Sequence, residues 1–192
     1  HEIKKKLLFD RKLVPEGTPL LNIGIPRVLN MWEDFPFWST FLVESGFEVT
    51  LSPPSTMPIA EKGYGTVMSE NICFPAKIAN GHIIELIEQK VDRIFYPMVR
   101  YNRPENDTSQ NHYNCPVVTG YPEVIQSSIR PGEKYDIPFD HMPFSFNSPE
   151  VIEKSCFEYV SQFGVDKKTC KNAIKKAEAA YVHYKNRVIE EG

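Results

Sequence analysis

The sequence has few cysteines for its length. Its 192 residues contain four, at Cys73, Cys115, Cys156 and Cys170, and no two of them form a CxxC pair. Four widely spaced cysteines in a chain of this size do not make a disulfide framework, and the missing CxxC spacing removes the usual signature of a zinc site. Free thiols or redox ligands are the uses that remain.

The sequence also has no large excess of charge of one sign and no long apolar run. The net charge is −3 and the 22 basic residues are scattered, so no nucleic-acid surface or polybasic membrane anchor is expected. No apolar run approaches the roughly 20 residues that span a bilayer, and the start HEIKKKLLFD lacks the apolar core of a secretory signal. The sequence therefore predicts a soluble, cytoplasmic protein without membrane or nucleic-acid partners.

Glycine-rich phosphate motifs are missing as well. Gly24 follows an apolar run alone, without the GxGxxG spacing of dinucleotide-binding folds, and no P-loop is present. The sequence thus predicts no ATP or NAD site of either kind. The chain begins at His1 rather than methionine, a start compatible with a tag remnant or with a piece of a longer polypeptide.

Apolar runs and helical patterns alternate along the chain, and 41% of the residues are hydrophobic. Proline and glycine mark the ends of these segments. The predicted strands are Leu21 to Ile25, Phe47 to Leu51, Val91 to Tyr96 and a brief one at Val117 to Thr119. The predicted helices are Phe35 to Ser45 with Asp34 as its cap, Pro75 to Lys90, Tyr121 to Ile129, and two more that begin at Ser148 and Asp166.

This alternation predicts an α/β fold with a Rossmann-like, doubly wound and mainly parallel sheet, helices on both faces and C-terminal helices. Residues 1–20 are interpreted as an N-terminal arm or linker, and residues 21–192 as a single α/β domain. The polar segment 98–114 is expected to be a long surface loop.

Functional groups of open parallel sheets collect at the carboxyl ends of the strands. Cys73 precedes Pro75 at a predicted helix start, where the helix dipole favours a thiolate, and Cys115 lies at the mouth of the predicted strand at 117. These two cysteines are the candidate metal ligands, although each can also be a small buried hydrophobe. Cys156 and Cys170 fall inside the last helices and are assigned to packing.

Three further residues are candidates for substrate binding. Arg27 follows the first strand and can hold a phosphate or carboxylate, or else pair with Glu33 or Glu123. His82 lies in the helix that follows Cys73 and can face the same pocket, or be a buried structural histidine. Lys77 flanks Cys73, as does Glu70, and these two can form an ion pair.

Three segments of the sequence resemble a known family. They are IGIPRVLNMWEDFPFWSTFLVESGFEVTLSPPS (Ile23 to Ser55), SENICFPAKIANGHIIELIEQKVDRIFYP (Ser69 to Pro97) and NHYNCPVVTGYPEVI (Asn111 to Ile125). Together they are similar to the module attached to the ATP-driven activators of 2-hydroxyacyl-CoA dehydratases, and more distantly to the dehydratase and benzoyl-CoA reductase subunits. The resemblance covers residues 20 to 130 closely.

The resemblance implies a Rossmann-like fold related to subunits that hold a [4Fe-4S] cluster through cysteines, with acyl-CoA as substrate. It also implies a partner, either the activase ATPase domain or a dehydratase subunit. Cys73 in ENICFPAK and Cys115 in NCPVV match cysteine positions of the family, whereas Met98 stands where many relatives carry cysteine.

Ligand count decides how much of that cluster one chain can hold. Clusters of this class usually take three or four cysteines, and a thioether replaces a thiolate on iron poorly. Two thiolates are therefore fewer ligands than the cluster needs. Either another domain or subunit supplies the remaining ligands, or this member holds no cluster and acts in docking or regulation. The cluster reading requires the segments around Cys73, Met98 and Cys115 to face one crevice.

Overall fold

The structure is a computed structural model that describes residues 2–11, 13–104 and 112–191. Its helices are α1 (Glu2–Phe9), α2 (Met31–Glu44), α3 (Met57–Gly63), α4 (Phe74–Glu88), α5 (Pro116–Ser128), α6 (Pro131–Tyr135), α7 (Pro149–Val160) and α8 (Lys167–Glu191). Its strands are β1 (Asn22–Ile25), β2 (Glu48–Leu51), β3 (Arg93–Phe95), β4 (Met98–Tyr101), β5 (Phe139–Asp140) and β6 (Pro143–Ser145). Within these ranges no helix is both long enough and apolar enough to cross a membrane.

The central sheet has four parallel strands in the order β2-β1-β3-β5. Gly24 of β1 stands opposite Thr50 on one side and Ile94 on the other. The chain moves outward from β1 to β2 and then returns to the other side of β1 with β3. This reversal is the switch point of a doubly wound sheet, where the loops after the strands part and leave a crevice. The predicted α/β class with a mainly parallel sheet, flanking helices and C-terminal helices is confirmed.

The segment that was expected to be a loop, 98–114, contains a strand in its first part. Met98 to Tyr101 form β4, which pairs in parallel with β6 in a separate two-stranded sheet. The rest of that prediction falls largely on residues 105–111, which lie outside the described residues. The brief strand predicted at Val117 to Thr119 is wrong, because these residues form the first turns of α5 after Pro116. Three apolar or β-branched residues are too few to distinguish a strand from a helix start.

Helix α2 is the most buried helix, and it begins earlier than its sequence suggests. Asp34 was predicted to cap a helix from Phe35, but the helix starts at Met31 and Asp34 is a fully buried member of its first turn. Four residues further on, Trp38 is fully buried and its ring contacts Phe95 of β3 and Phe144 of β6. Helix α2 thus joins the two sheets.

Arg103 holds several of these elements together. Its guanidinium donates to both carboxylate oxygens of Glu178 on α8, at 3.3 and 3.0 Å, and lies 3.5 Å from Asp34. The same group lies 3.5 Å from the ring centre of Phe146 and 4.0 Å from that of Tyr181. A planar cation between aromatic rings and carboxylates is a strong fixed contact. Arg103 therefore ties α2 and α8 to the segment after β6.

The N-terminal segment, interpreted from the sequence as an arm or linker, is partly helical. Helix α1 packs against α2 and α8, and it buries Leu8 and Phe9 in the common core. The ring of Phe9 also lies beneath the guanidinium of Arg27, 4.5 Å from its central carbon. The division into residues 1–20 and residues 21–192 stays a prediction.

Two glycines allow α3 and α4 to touch backbone to backbone. A Cβ on Gly81 of α4 would overlap the carbonyl oxygen of Ile59, and a Cβ on Gly63 would overlap the backbone nitrogen of Gly81. Backbone atoms cannot move aside as a flexible side chain can. Helix α4 is thus held by a contact that tolerates no side chain at Gly81.

The contact at Gly81 predicts that replacing glycine by alanine has different effects on stability at two helix positions. Gly81→Ala forces α3 away from α4 and should lower the free energy of unfolding by about 1–3 kcal/mol or more. Gly120→Ala, in the interior of α5 with no atom near its added Cβ, should raise it by about 0.4–1 kcal/mol. Urea denaturation measures both values. Equal effects of the two substitutions would show that α3 and α4 are not in backbone contact.

The buried carboxyl of Asp34 predicts a specific dependence of stability on pH. Burial raises the pKa of Asp34 to about 7, against the opposing effect of Arg103, so the folded protein holds a proton that the unfolded chain releases near the ordinary pKa of 3.8. Asp34 alone should therefore make the free energy of unfolding fall as pH rises between these values, by up to about 1.4 kcal/mol per pH unit. His82, whose pKa is lowered by burial from 6.5 to about 4, makes the opposite contribution between its own two values. Asp34→Asn should remove the contribution of Asp34, so its free energy of unfolding should rise with pH relative to that of the wild type.

The control for Asp34 is Asp136→Asn, which makes the same change at an exposed turn. Urea midpoints measured at several pH values between those two pKa values should show the wild-type slope in Asp136→Asn. A wild-type slope in Asp34→Asn as well would contradict the assignment to the buried carboxyl.

Candidate functional site

A crevice lies at the carboxyl ends of β1 and β2. It has a volume of about 340 Å³ and is bounded by the segment after β1, the segment after β2 and the first turns of α4. We call it the α4 crevice; its lining residues are Arg27, Val28, Leu29, Trp32, Ser55, Phe74, Pro75 and Ile78. The position agrees with the expectation that functional groups collect at the carboxyl ends of parallel strands.

Arg27 supplies the positive charge of the α4 crevice. Its Nε is buried and has no hydrogen-bond partner among the described residues, while its guanidinium lies over the ring of Phe9. Burial lowers the pKa of Arg27, and Asp10 acts in the opposite direction. The two pairings considered from the sequence are not made, because Glu33 accepts from Lys4 and Glu123 lies beside His141.

His82 lies beneath the α4 crevice rather than in its wall. The side chain is fully buried, with Nδ1 2.7 Å from the hydroxyl of Ser52 and Nε2 2.9 Å from the hydroxyl of Ser55. Burial, and secondly the charge of Arg27, lowers the pKa of His82 to about 4. The imidazole is thus neutral at physiological pH, and both of its nitrogens are occupied by serine hydroxyls.

The two serines are placed by the sheet. The backbone N–H of Ser52 donates to the carbonyl of Ile25 at 3.0 Å, which extends the pairing of β1 and β2 by one residue. The backbone N–H of Arg27 in turn donates to the hydroxyl of Ser52 at 2.8 Å. Sequence reasoning missed both serines, although the run Ser52 to Ser55 (SPPS) directly after a strand was a signal for them.

Lys77 does not line the α4 crevice. Its Nζ donates to the backbone carbonyl of Glu70 at 2.6 Å, so the ion pair considered between these two side chains is replaced by a contact with the main chain. Among the three substrate-binding candidates, Arg27 lies in the crevice wall, His82 supports that wall and Lys77 lies outside it. Their role in substrate binding stays a prediction.

The two candidate metal ligands occupy equivalent positions on neighbouring helices. Cys73 is the N-cap residue of α4 and Cys115 is the N-cap residue of α5, and both are free and exposed. Cys115 thus precedes a helix rather than a strand. Burial raises the pKa of Tyr121 on α5 to about 12, and Cys73 is close enough to contribute to the rise.

Met98 lies near the start of α5. The side-chain amide of Asn114, the residue before Cys115, donates to the carbonyl of Val99, the residue after Met98, at 2.9 Å. These contacts bring the chain around Cys115 close to Met98 and bring α5 close to Cys73. That all three sulfur atoms face one crevice stays a prediction.

The remaining cysteines belong to the core, as their sequence positions indicated. Cys156 and Cys170 are fully buried. Burial raises the pKa of the Cys156 thiol well above its usual range and that of Cys170 to about 11. A neutral thiol in an apolar interior is neither nucleophilic nor a good metal ligand.

The donor set fits half of an iron–sulfur site. Cys73 and Cys115 offer the thiol ligands that such clusters require, at helix ends where negative charge is favoured. In the described part of the chain, no group of three or more His, Cys, Asp or Glu side chains is arranged to hold a metal ion. These residues can therefore contribute to a cluster only if further ligands come from elsewhere.

A larger cavity, of about 480 Å³, lies beside Arg103. Its charged groups are already engaged, since Arg103 binds Glu178 and Asp34. It also adjoins Pro104, directly before residues that the structure does not describe. The α4 crevice, which is smaller but contains an arginine nitrogen without a partner in the described part of the chain, is the better candidate site.

Comparison with known proteins identifies the family. The family model of the CoA enzyme activase uncharacterised domain (DUF2229) matches residues 22–192, which is most of the chain. Neither a curated protein nor a solved structure matches the sequence. The match confirms the resemblance to activase-related proteins that the three sequence segments indicated. The chain belongs to the CoA enzyme activase uncharacterised domain family.

Proposed function

We propose that this domain supplies Cys73 and Cys115 as two thiolate ligands of an iron–sulfur cluster, a [4Fe-4S] cluster by the family resemblance. The other ligands would come from the activase ATPase domain or from a dehydratase subunit. In that assembly the cluster would carry electrons for the dehydration or reduction of an acyl-CoA. The proposal places this chain as a non-ATPase component of the system, working in the cytoplasm.

The observation that carries the proposal is the equivalent placement of two exposed cysteines. Each is the N-cap of a helix of at least 13 residues, and the two helices, α4 and α5, pack against each other. Cluster sulfides and thiolates together are anionic, and helix N-termini stabilise negative charge. The exposure of both thiols also leaves them accessible to a partner that completes the ligand set.

The two exposed cysteines predict a selective loss of iron. Anaerobic reconstitution with iron and sulfide, in the presence of the ATPase partner, should give bound iron and visible absorption in the wild-type protein. The double variant Cys73→Ser, Cys115→Ser should lose both signals, because serine is a poor ligand for these clusters. Iron and sulfide analysis together with the visible spectrum measures the outcome.

The matched control is Cys156→Ala with Cys170→Ala, which removes the two buried thiols and leaves the helix N-caps intact. This control should keep its iron. Equal iron binding by the wild type and by the Cys73, Cys115 double variant would contradict the proposal.

The ligand count favours a second function, a docking or regulatory module that holds no cluster. Among the described residues no group of three or more His, Cys, Asp or Glu side chains could hold a metal ion, and Met98 offers iron only a thioether. A docking module should bind the ATPase portion equally well with Cys73 and Cys115 intact or replaced by serine. Deletion of the domain from the full-length protein should abolish activity if docking is essential, and unchanged activity would exclude this function.

A further inference from the structure

We infer that the α4 crevice binds a small organic anion, with its carboxylate or phosphate group between Arg27 and the hydroxyl of Ser55 and its apolar part against Trp32 and Phe74. The site adjoins Cys73, which Phe74 directly follows, but neither Cys73 nor Cys115 lines it, so the inference does not depend on the proposed cluster. The inference rests on three features of the crevice. They are a serine hydroxyl whose hydrogen is available to a ligand, an arginine that pairs with no carboxylate among the described residues, and apolar walls.

The first feature is the direction of the hydrogen bonds beneath the crevice. The hydroxyl of Ser52 accepts from the backbone N–H of Arg27, and Ser52 is fully buried. Its own hydrogen needs an acceptor, and among the described partners of that hydroxyl only Nδ1 of His82 offers one. Because a neutral imidazole carries one hydrogen, Nε2 of His82 is then the donor, and it donates to the hydroxyl of Ser55.

The hydroxyl of Ser55 therefore accepts a hydrogen bond from Nε2 of His82. Its hydrogen is left to point away from His82, and Ser55 lines the α4 crevice. A hydroxyl held in this way has its hydrogen available to donate to a ligand, beside one remaining lone pair. The crevice wall therefore presents a donor, which suits an acceptor group such as an anion.

The second feature is Arg27. Its Nε has no hydrogen-bond partner among the described residues, and within the same ranges no carboxylate forms a salt bridge with its guanidinium. The Nε itself is enclosed by protein, so an anion in the crevice would meet the guanidinium through its terminal nitrogens, whose charge and donors suit a carboxylate or phosphate. The ring of Phe9 beneath the guanidinium keeps the group in place.

The third feature is the apolar character of the remaining wall. Leu29, Trp32, Pro75 and Ile78 line the crevice, and Phe74 stands at it with 53% of its surface exposed. A large exposed aromatic side chain next to an arginine favours a ligand that has an apolar body as well as a charge. Leu29 holds a φ of +45°, a strained conformation of the kind that persists at ligand sites.

The size of the crevice limits the ligand. A volume of about 340 Å³ lies at the low end of the range of about 300–1,000 Å³ for small-molecule sites. A short fatty acid or an alkyl phosphate fits this volume. Arg27 and Ser55 can bind a carboxylate and a phosphate in the same way. The affinities for the two ligands must therefore be measured to tell which group the crevice prefers.

Trp32 provides the signal for the test. The sequence has two tryptophans, and only Trp32 lines the crevice, since Trp38 is fully buried in the core. Titration with hexanoate or hexyl phosphate should change the tryptophan fluorescence in a saturable way, and Trp32→Phe should remove that change. The neutral hexanamide should bind at least about tenfold more weakly, because it has no charge to meet Arg27.

The variants separate the two donors. Arg27→Gln should weaken binding about tenfold or more while keeping the backbone N–H that Ser52 accepts, and Ser55→Ala should weaken it about threefold to tenfold. Arg27→Lys retains the charge and should bind between wild type and Arg27→Gln. Arg100→Gln makes the same charge change at an exposed residue of β4 and should bind as wild type.

Two results would overturn the inference. One is equal affinity for hexanoate, hexyl phosphate and hexanamide, and the other is equal affinity of Arg27→Gln and Arg100→Gln, with folding of each variant confirmed by its thermal unfolding curve. The tighter of the two anions identifies the headgroup. The Cys73, Cys115 double serine variant should bind the anion as wild type does, so that failure here and failure of the cluster proposal are told apart.

Discussion

The buried hydrogen bonds of His82 are the constraint on which the candidate site depends. They join the end of β1, the segment after β2 and the third turn of α4 through Ser52 and Ser55. Because the imidazole is fully buried and neutral, each of its nitrogens must be matched by one partner of the right kind. That requirement fixes where α4 begins relative to the sheet, and with it the positions of Cys73, Phe74 and the crevice wall.

Much of the fold could be predicted because its signals are local. Proline and glycine end most strands and helices where the sequence places them, and the caps Ser148 and Asp166 accept from the backbone N–H groups of α7 and α8 as expected. Predictions failed where tertiary burial outweighs the local signal. Asp34 has the sequence pattern of a cap, but it is buried against Arg103, a contact 69 residues away along the chain.

The site was less predictable, because its parts are assembled from distant segments. Arg27 could be chosen from its place after a strand, since the carboxyl edge of a parallel sheet is a known location for ligands. The supporting role of His82 and the presence of Ser55 could not, because they depend on the packing of α4 beneath the loop after β2. The N-cap position of Cys115 was hidden by a short apolar run that resembles a strand.

The tautomer of His82 tests the account most directly. Long-range nitrogen–proton NMR correlation distinguishes the two nitrogens of a histidine ring, and the signals of His82 are assigned by their loss in His82→Gln among the five histidines of the chain. At neutral pH the account predicts a neutral ring with its hydrogen on Nε2, unchanged on mild acidification because the pKa of His82 is about 4. A hydrogen on Nδ1, or a ring that is charged near its usual pKa, would contradict the directed hydrogen bonds that orient Ser55 toward the α4 crevice.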